Sequence, residues 1–220
     1  MSLQSTCSVS VSHVEGGFAL DRAIAVGGHA ARVVRFADTL ALRVGLSAEE
    51  RASLRWASLL HDVGKMGIPD KVLKKAGPLN AGERALMNRH PEIGYQVLQG
   101  IDVSEDVRLW VCQHHERWDG RGYPGQLFGE EVALPCRVLV ISEVYDALAE
   151  VRSYKSAWSI PKIVNFFRVE AGRQFDPDLA HMVADGLQAQ GARFFAPELR
   201  SVVGQAPVVT SPRDQPGSIF

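Results

Sequence analysis

The chain is expected to fold as an all-α helical bundle. Apolar residues recur at helical spacing through most of residues 19–189, helix-start signals precede several of these stretches, and glycines and prolines punctuate the gaps between them. The 220 residues are enough for one domain with a buried core. That domain is placed at residues 18–190. Residues 1–17, rich in serine with two glycines at the end, read as a loose arm, and the Pro-, Gly- and Ser-rich stretch 191–220 as a mobile tail.

Val26, Ala30, Val33, Ala37, Leu40, Ala41 and Val44 lie on one face of a first helix over 19–44, which Gly45 stops. Ser47 followed by Glu50 is a capping box, so a second helix starts there, carrying Leu54, Ala57, Ser58 and His61 on one side. Gly64, Gly67 and Pro69 break it into a turn. Helical pattern resumes near 80–89, and Pro91 suits the first turn of a helix to about 99. Another helix is expected over 103–116, then a glycine-rich loop over 117–132. Residues 134–151 read as a buried helix, with a strand at 137–142 as the alternative, and two further helices fit 158–171 and 177–189.

Composition narrows the function classes. Apolar residues make up 46% and charged residues 22%, which is ordinary for a globular protein. A formal net charge of −1 argues against a broad basic surface for duplex nucleic acid, but leaves room for a small anionic ligand. Cys7, Cys112 and Cys136 form no close pair, which fits a reduced, cytoplasmic protein; Cys112 is a minor candidate for a thiolate ligand beside His114. Neither a signal peptide nor an apolar run near the ~18 residues of a membrane span is expected.

Seven histidines are present, and five of them, His29, His61, His90, His114 and His115, fall at helix ends or on inward faces. A single histidine on an apolar face is ordinarily a core residue with a hydrogen-bond partner. Five of them, with the adjacent pairs His61-Asp62 and His114-His115, would be unfavourable to bury without shared partners, and a metal site satisfies them together. Neighbours on a helix point about 100° apart. Adjacent ligands therefore converge on one ion only where the helix unwinds, or else they straddle two. A carboxylate has two oxygens, so Asp62 can bridge two cations. Imidazole with carboxylate suits iron, manganese, zinc or nickel rather than calcium or magnesium. Such a set describes a binuclear hydrolytic centre with ions about 3.5–4 Å apart.

HDVGKMGIPD at 61–70 and HHERWDGRGYPG at 114–125 resemble the HD-GYP subgroup of HD-domain phosphohydrolases. The resemblance runs over roughly 20–185 and includes LLHDVGK, HP at 90–91, VYDAL at 144–148, RSYK at 152–155 and QFDP at 174–177. It implies an HD-domain bundle with a GYP loop between two core helices, and a cytoplasmic enzyme that hydrolyses cyclic di-GMP to pGpG and onward to GMP. It implies that His29, His61 and Asp62 hold one divalent ion, and that Asp62 bridges to a second held by His90, His114 and His115. Iron or manganese is expected, with nickel or zinc as alternatives. The chemistry implied is attack by a hydroxide between the ions, with Asp62 and Lys65 as the catalytic residues. Gly122, Tyr123, Pro124, Arg152 and Lys155 match substrate contacts. The loop is also linked in related proteins to docking of GGDEF-type cyclases.

Several residues keep a second reading. Lys65 also suits a helix end, where cations are favoured; Arg152 and Lys155 also suit a solvated basic end. Asp119 and Glu116 are expected to bond within the loop, to orient a ligand histidine, or to face solvent. Trp118 is either an exposed aromatic or an anchor for the loop.

Two departures from the family pattern stand out. Glu143 occupies the place of an aspartate that ligates the first ion. Ligation is expected to survive, with Asp146 as a substitute or as a partner behind the ligands. Ala25 stands where some members have a glutamate for a third ion, so two ions are expected. The alternative to an active phosphodiesterase is a degenerate module that binds metal, nucleotide or a GGDEF-type partner without useful turnover. A third reading is an HD hydrolase of another nucleotide.

Overall fold

A computed structural model describes residues 28–150 and 156–196, and among them the chain is mostly helical, with no strand beyond two isolated bridges. The first described helix, α1 (His29–Arg43), follows Gly28, whose φ of 98° favours glycine, and ends before Gly45, at φ 78°; the 19–27 part of the helix expected over 19–44, with Val26, lies outside the described residues. Its apolar face buries Val33, Ala37, Leu40 and Ala41. The capping box of Ser47 and Glu50 starts α2 (Ala48–Leu60). A 3₁₀ turn (Val63–Gly67) replaces the helix at the glycines and leads into the short α3 (Asp70–Leu73). A second capping box, Asn80 with Glu83, opens α4 (Ala81–Met87). Pro91 sits in the first turn of α5 (His90–Leu98), and Ser104 caps α6 (Glu105–Gln113).

After the glycine-rich loop come α7 (Leu134–Ala149), α8 (Ile160–Glu170) and α9 (Pro177–Gln190). The alternative strand at 137–142 is not formed. Ten of the sixteen residues of α7 are buried, which explains why periodicity alone left helix and strand open: a helix apolar on nearly every side has little amphipathic signal. It is the central element, packed against α1, α2, α6, α8 and α9. Leu40, Leu54, Leu98, Leu139, Ile141, Ile163, Phe167 and Leu187 form the fully buried centre.

Close packing at two places shapes the ends of the bundle. The 3₁₀ turn lies directly on the start of α5: a Cβ on Gly64 would fall 1.9 Å from the His90 carbonyl oxygen and 2.4 Å from the Gly94 nitrogen. Only glycine allows this approach, and it sets Asp62 and Lys65 beside His90. At the other end, a 3₁₀ turn over Gly191–Phe195 buries Phe194 and Phe195, with Phe195 stacked on Tyr145 at 4.3 Å. The packed chain thus extends to Phe195, beyond the boundary expected at 190. None of the described helices is long and apolar enough to cross a membrane.

Candidate metal centre

The candidate ligands come from the ends of four helices and the middle of a fifth. His29 opens α1, His61 closes α2, His90 opens α5, and His114 and His115 come directly after α6. Glu143 projects from α7. Two groups result: His29, His61 and Glu143, and His90, His114 and His115, each with its donor atoms within 4.8 Å of one another.

Asp62 lies between these groups. Its Oδ2 is 3.5 Å from His61 Nε2 and its Oδ1 is 3.5 Å from His90 Nε2, so the two oxygens address different groups. His61 Nε2 and Asp62 Oδ1 are buried without a hydrogen-bond partner among the described residues. Buried polar atoms rarely stay unsatisfied.

Three of the rings share one orienting device. The Nδ1 atoms of His61, His90 and His114 lie 2.8, 2.8 and 2.6 Å from the carbonyl oxygens of Ser58, Met87 and Val111, each three residues upstream. A carbonyl can only accept, so Nδ1 carries a proton, and in the neutral ring it is Nε2 that keeps the lone pair. Burial, followed by the neighbouring His115 and His61, holds the His114 imidazole well below its ordinary pKa. Burial, with the nearby His90, pushes His115 down to about 3, and burial also lowers His90. These rings are neutral at pH 7. His90 Nε2 and His114 Nε2 then face each other at 3.2 Å as two lone pairs, an arrangement that a cation resolves. The orphaned atoms, the fixed tautomers and the mixed imidazole–carboxylate donor set all fit divalent transition-metal ions.

The carboxylates differ. Burial disfavours the charge on Asp62, but His61, Lys65 and His90 outweigh it and hold the carboxyl below the ordinary range. Lys65 Nζ donates to Asp62 Oδ2 at 2.6 Å. Glu143 moves the other way: burial, with Asp62 adding to it, raises its pKa. Its longer side chain still brings an oxygen into the group with His29 and His61. Asp146 is not in either group; it accepts from His29 Nδ1 at 2.7 Å.

The loop after His115 is fastened from within. The buried Glu116 accepts from the backbone of Gly125 at 2.5 Å and Leu127 at 3.1 Å, and the Tyr123 amide donates to the His115 carbonyl at 3.2 Å. A Cβ on Gly122 would come within 2.5 Å of Glu116 Cα. The Tyr123–Pro124 peptide is cis. Tyr123 stacks on His115, with ring centroids 4.9 Å apart, and burial pushes its hydroxyl up to about 12, so it stays a neutral donor. Asp119 pairs with Arg117 and the Arg121 amide within the loop and reaches no histidine. Trp118 anchors the loop: its amide donates to the Gln174 carbonyl, and Arg137 lies over its ring.

Two pockets flank the centre. One of about 260 Å³ is lined by His114, His115, Tyr123, Glu143 and Gln174. The other, about 470 Å³, is lined by His29, Arg32, Asp62, Lys65 and Glu143. Glu143 borders both. Arg152, Lys155 and Ala25 lie outside the described residues. Cys112 belongs to neither ligand group, and burial raises its thiol to about 11. Sequence reasoning did not single out Arg32 or the Gln174 side chain. Arg32 lies three residues after His29 and so on the same helix face, which is the signal that would have found it.

Known proteins are similar to this chain in sequence and in fold. The HD domain family model matches residues 18–179. The chain is 42% identical over 151 residues to the cyclic di-GMP phosphodiesterase response regulator RpfG of Xanthomonas campestris pv. campestris, covering 66% of this chain and 39% of that protein. It is 37% identical over 164 residues to the 3'3'-cGAMP-specific phosphodiesterase 2 of Vibrio cholerae, covering 72% of this chain and 31% of that protein. The chain thus spans well under half the length of these relatives. Among solved structures, a cyclic GMP-AMP-specific phosphodiesterase of V. cholerae (V-cGAP3) matches the fold, with a TM-score of 0.55 and 22% identity over 76% of this chain and 44% of that one.

Proposed function

The chain belongs to the HD-GYP branch of the HD-domain family, and on that premise we propose that it is a metal-dependent phosphodiesterase that opens cyclic di-GMP to pGpG. The observation that carries this reading is the placement of Asp62, whose two oxygens face separate histidine groups while His61 Nε2 and Asp62 Oδ1 have no hydrogen-bond partner among the described residues.

His29, His61 and Glu143 would hold one divalent ion and His90, His114 and His115 the other, with Asp62 spanning both. Two such ions, iron or manganese, would neutralise phosphodiester charge and supply a hydroxide nucleophile at neutral pH. The protein's own groups do the rest. Imidazoles fixed by their Nδ1 bonds present Nε2 without rearrangement. Lys65, on Asp62 at the edge of the larger pocket, is within reach to stabilise charge on the phosphoryl oxygens or protonate the leaving ribose oxygen. Tyr123, a neutral phenol beside His115, offers a ring face to a guanine or a hydrogen bond to a phosphate. Arg152 and Lys155 join this set as substrate contacts by resemblance alone.

Relatives named for cyclic di-GMP and for 3'3'-cGAMP both match this chain, so both nucleotides belong in the test. A second reading, a module that binds nucleotide or a GGDEF-type partner without turnover, is favoured by Glu143 in place of aspartate. Incubating the metal-loaded protein with cyclic di-GMP, 3'3'-cGAMP and pGpG separates them. Metal-dependent formation of pGpG supports the phosphodiesterase, and binding without cleavage supports the second reading.

A further inference from the structure

His29 differs from the other orienting histidines. His61, His90 and His114 each give Nδ1 to a carbonyl three residues upstream on their own segment. His29 is the first residue of α1, and its Nδ1 goes instead to a side chain from α7, Asp146 Oδ2 at 2.7 Å. It is also the more open ring: its side chain is 34% exposed, against 0% for His61 and 2% for His90, so packing does less to fix it.

Asp146 is itself held. Its side chain is 1% exposed, and Arg32 clamps it with Nε at 2.6 Å from Oδ1 and a second nitrogen at 3.2 Å from Oδ2. A planar fork on a carboxylate fixes both the position and the plane of the acceptor. Arg32 is one turn beyond His29 on α1, so one helix supplies both groups that pin Asp146, and Asp146 in turn aims His29. Glu150, one turn beyond Asp146 at the end of α7, lies 3.5 Å from Arg32 Nε, the nitrogen that also donates to Asp146 Oδ1.

We propose that Arg32 and Asp146 are positioning residues that set the affinity of the His29/His61/Glu143 group for its ion, and leave the His90/His114/His115 group unaffected. The proposal rests on the metal reading of the site. Partners behind a metal-bound histidine typically change affinity by about 10–100-fold when removed, and neither Arg32 nor Asp146 touches the second group.

The test is Mn(II) binding to the full chain, measured by chelator competition and by electron paramagnetic resonance, for the wild type and for Asp146→Ala, Arg32→Gln and Arg32→Lys. Circular dichroism melting of each metal-free protein reports the fold. The expected result is two ions in the wild type and one unchanged tight ion in Asp146→Ala, with the second weakened about 10–100-fold. Arg32→Gln should move the same ion in the same direction, and Arg32→Lys should recover part of the loss. Should Asp146→Ala fail to fold, the two Arg32 variants decide alone. Equal weakening of both ions, or of neither, in folded variants overturns the proposal while leaving the metal centre standing. A wild type that binds no ion overturns the metal centre itself, and the proposal with it.

Discussion

The Nε2 atoms of His90 and His114 face one another at 3.2 Å while both Nδ1 atoms are committed to backbone carbonyls. Two lone pairs at that distance repel, so the folded chain holds an unfavourable contact that a bound cation turns into a favourable one. Divalent metal should therefore stabilise the protein strongly. At a free ion concentration of about 100 times its Kd, one site adds about 2.7 kcal/mol. The check is urea unfolding with and without Mn(II). His114→Ala should abolish most of the gain from the ion of its group while leaving the His29 group able to bind.

The metal-free protein should lose stability on acidification from near neutrality. His90, His114 and His115 have folded-state pKa values depressed below 6.5, His115 to about 3. Well above pH 6.5 these rings are neutral folded or unfolded and contribute no slope. As pH falls below 6.5 the unfolded chain takes up protons that the folded chain refuses. Unfolding is then favoured by at most about 1.4 kcal/mol per pH unit for each ring, and only down to that ring's own folded value. For His115 this continues until pH approaches its folded value near 3. Unfolding free energies of the metal-free protein at about pH 7.5, 6.5 and 5.5 should fall less over the first interval than over the second, with the raised pKa of Glu143 opposing part of the fall.

Gly64→Ala should damage the site through the backbone. The new Cβ would meet the His90 carbonyl at 1.9 Å and the Gly94 nitrogen at 2.4 Å, so the 3₁₀ turn must lift off α5. Overpacking of this kind costs about 1–3 kcal/mol or more. Because Asp62 and Lys65 ride on that turn, metal binding should weaken along with the melting temperature. Gly77→Ala, where no atom lies within 4 Å of the added carbon, should change neither.

Lys65→Met should separate binding from catalysis. Lys65 touches Asp62 but belongs to neither ligand group. Two ions should remain by metal analysis, while kcat for cyclic di-GMP falls by about 100-fold or more, the scale of losing one transition-state donor.

Much of this arrangement was legible in the sequence, for local reasons. The Ser47–Glu50 box, Pro91 and the glycines at 64 and 67 act within a few residues, and they mark where the helices start and break. The five histidines stood out because so many imidazoles at helix ends need a common partner, and the structure brings them together in two groups with Asp62 and Glu143 beside them. What the sequence left hidden depends on distant pairing. Arg32 and Asp146 are 114 residues apart, and nothing local marks them as partners. Glu116 looked as ready to face solvent as to serve the loop; its burial beneath the amides of Gly125 and Leu127 is a matter of how the loop folds back. Phe194 and Phe195 stand three and four residues after Gly191, at the edge of a Pro- and Ser-rich stretch, and only the packing of Phe195 on Tyr145 and of Phe194 on Gly186 reveals them as core.

Whether Asp62 joins two metal groups into one phosphodiesterase centre is tested most directly by one experiment. Wild type and Asp62→Ala are loaded anaerobically with iron or manganese, metal is counted, and cyclic di-GMP turnover is followed on the same samples. The expected result is two ions and metal-dependent formation of pGpG in the wild type, and reduced metal with no turnover in Asp62→Ala. Full turnover by Asp62→Ala with both ions bound would contradict the bridging role.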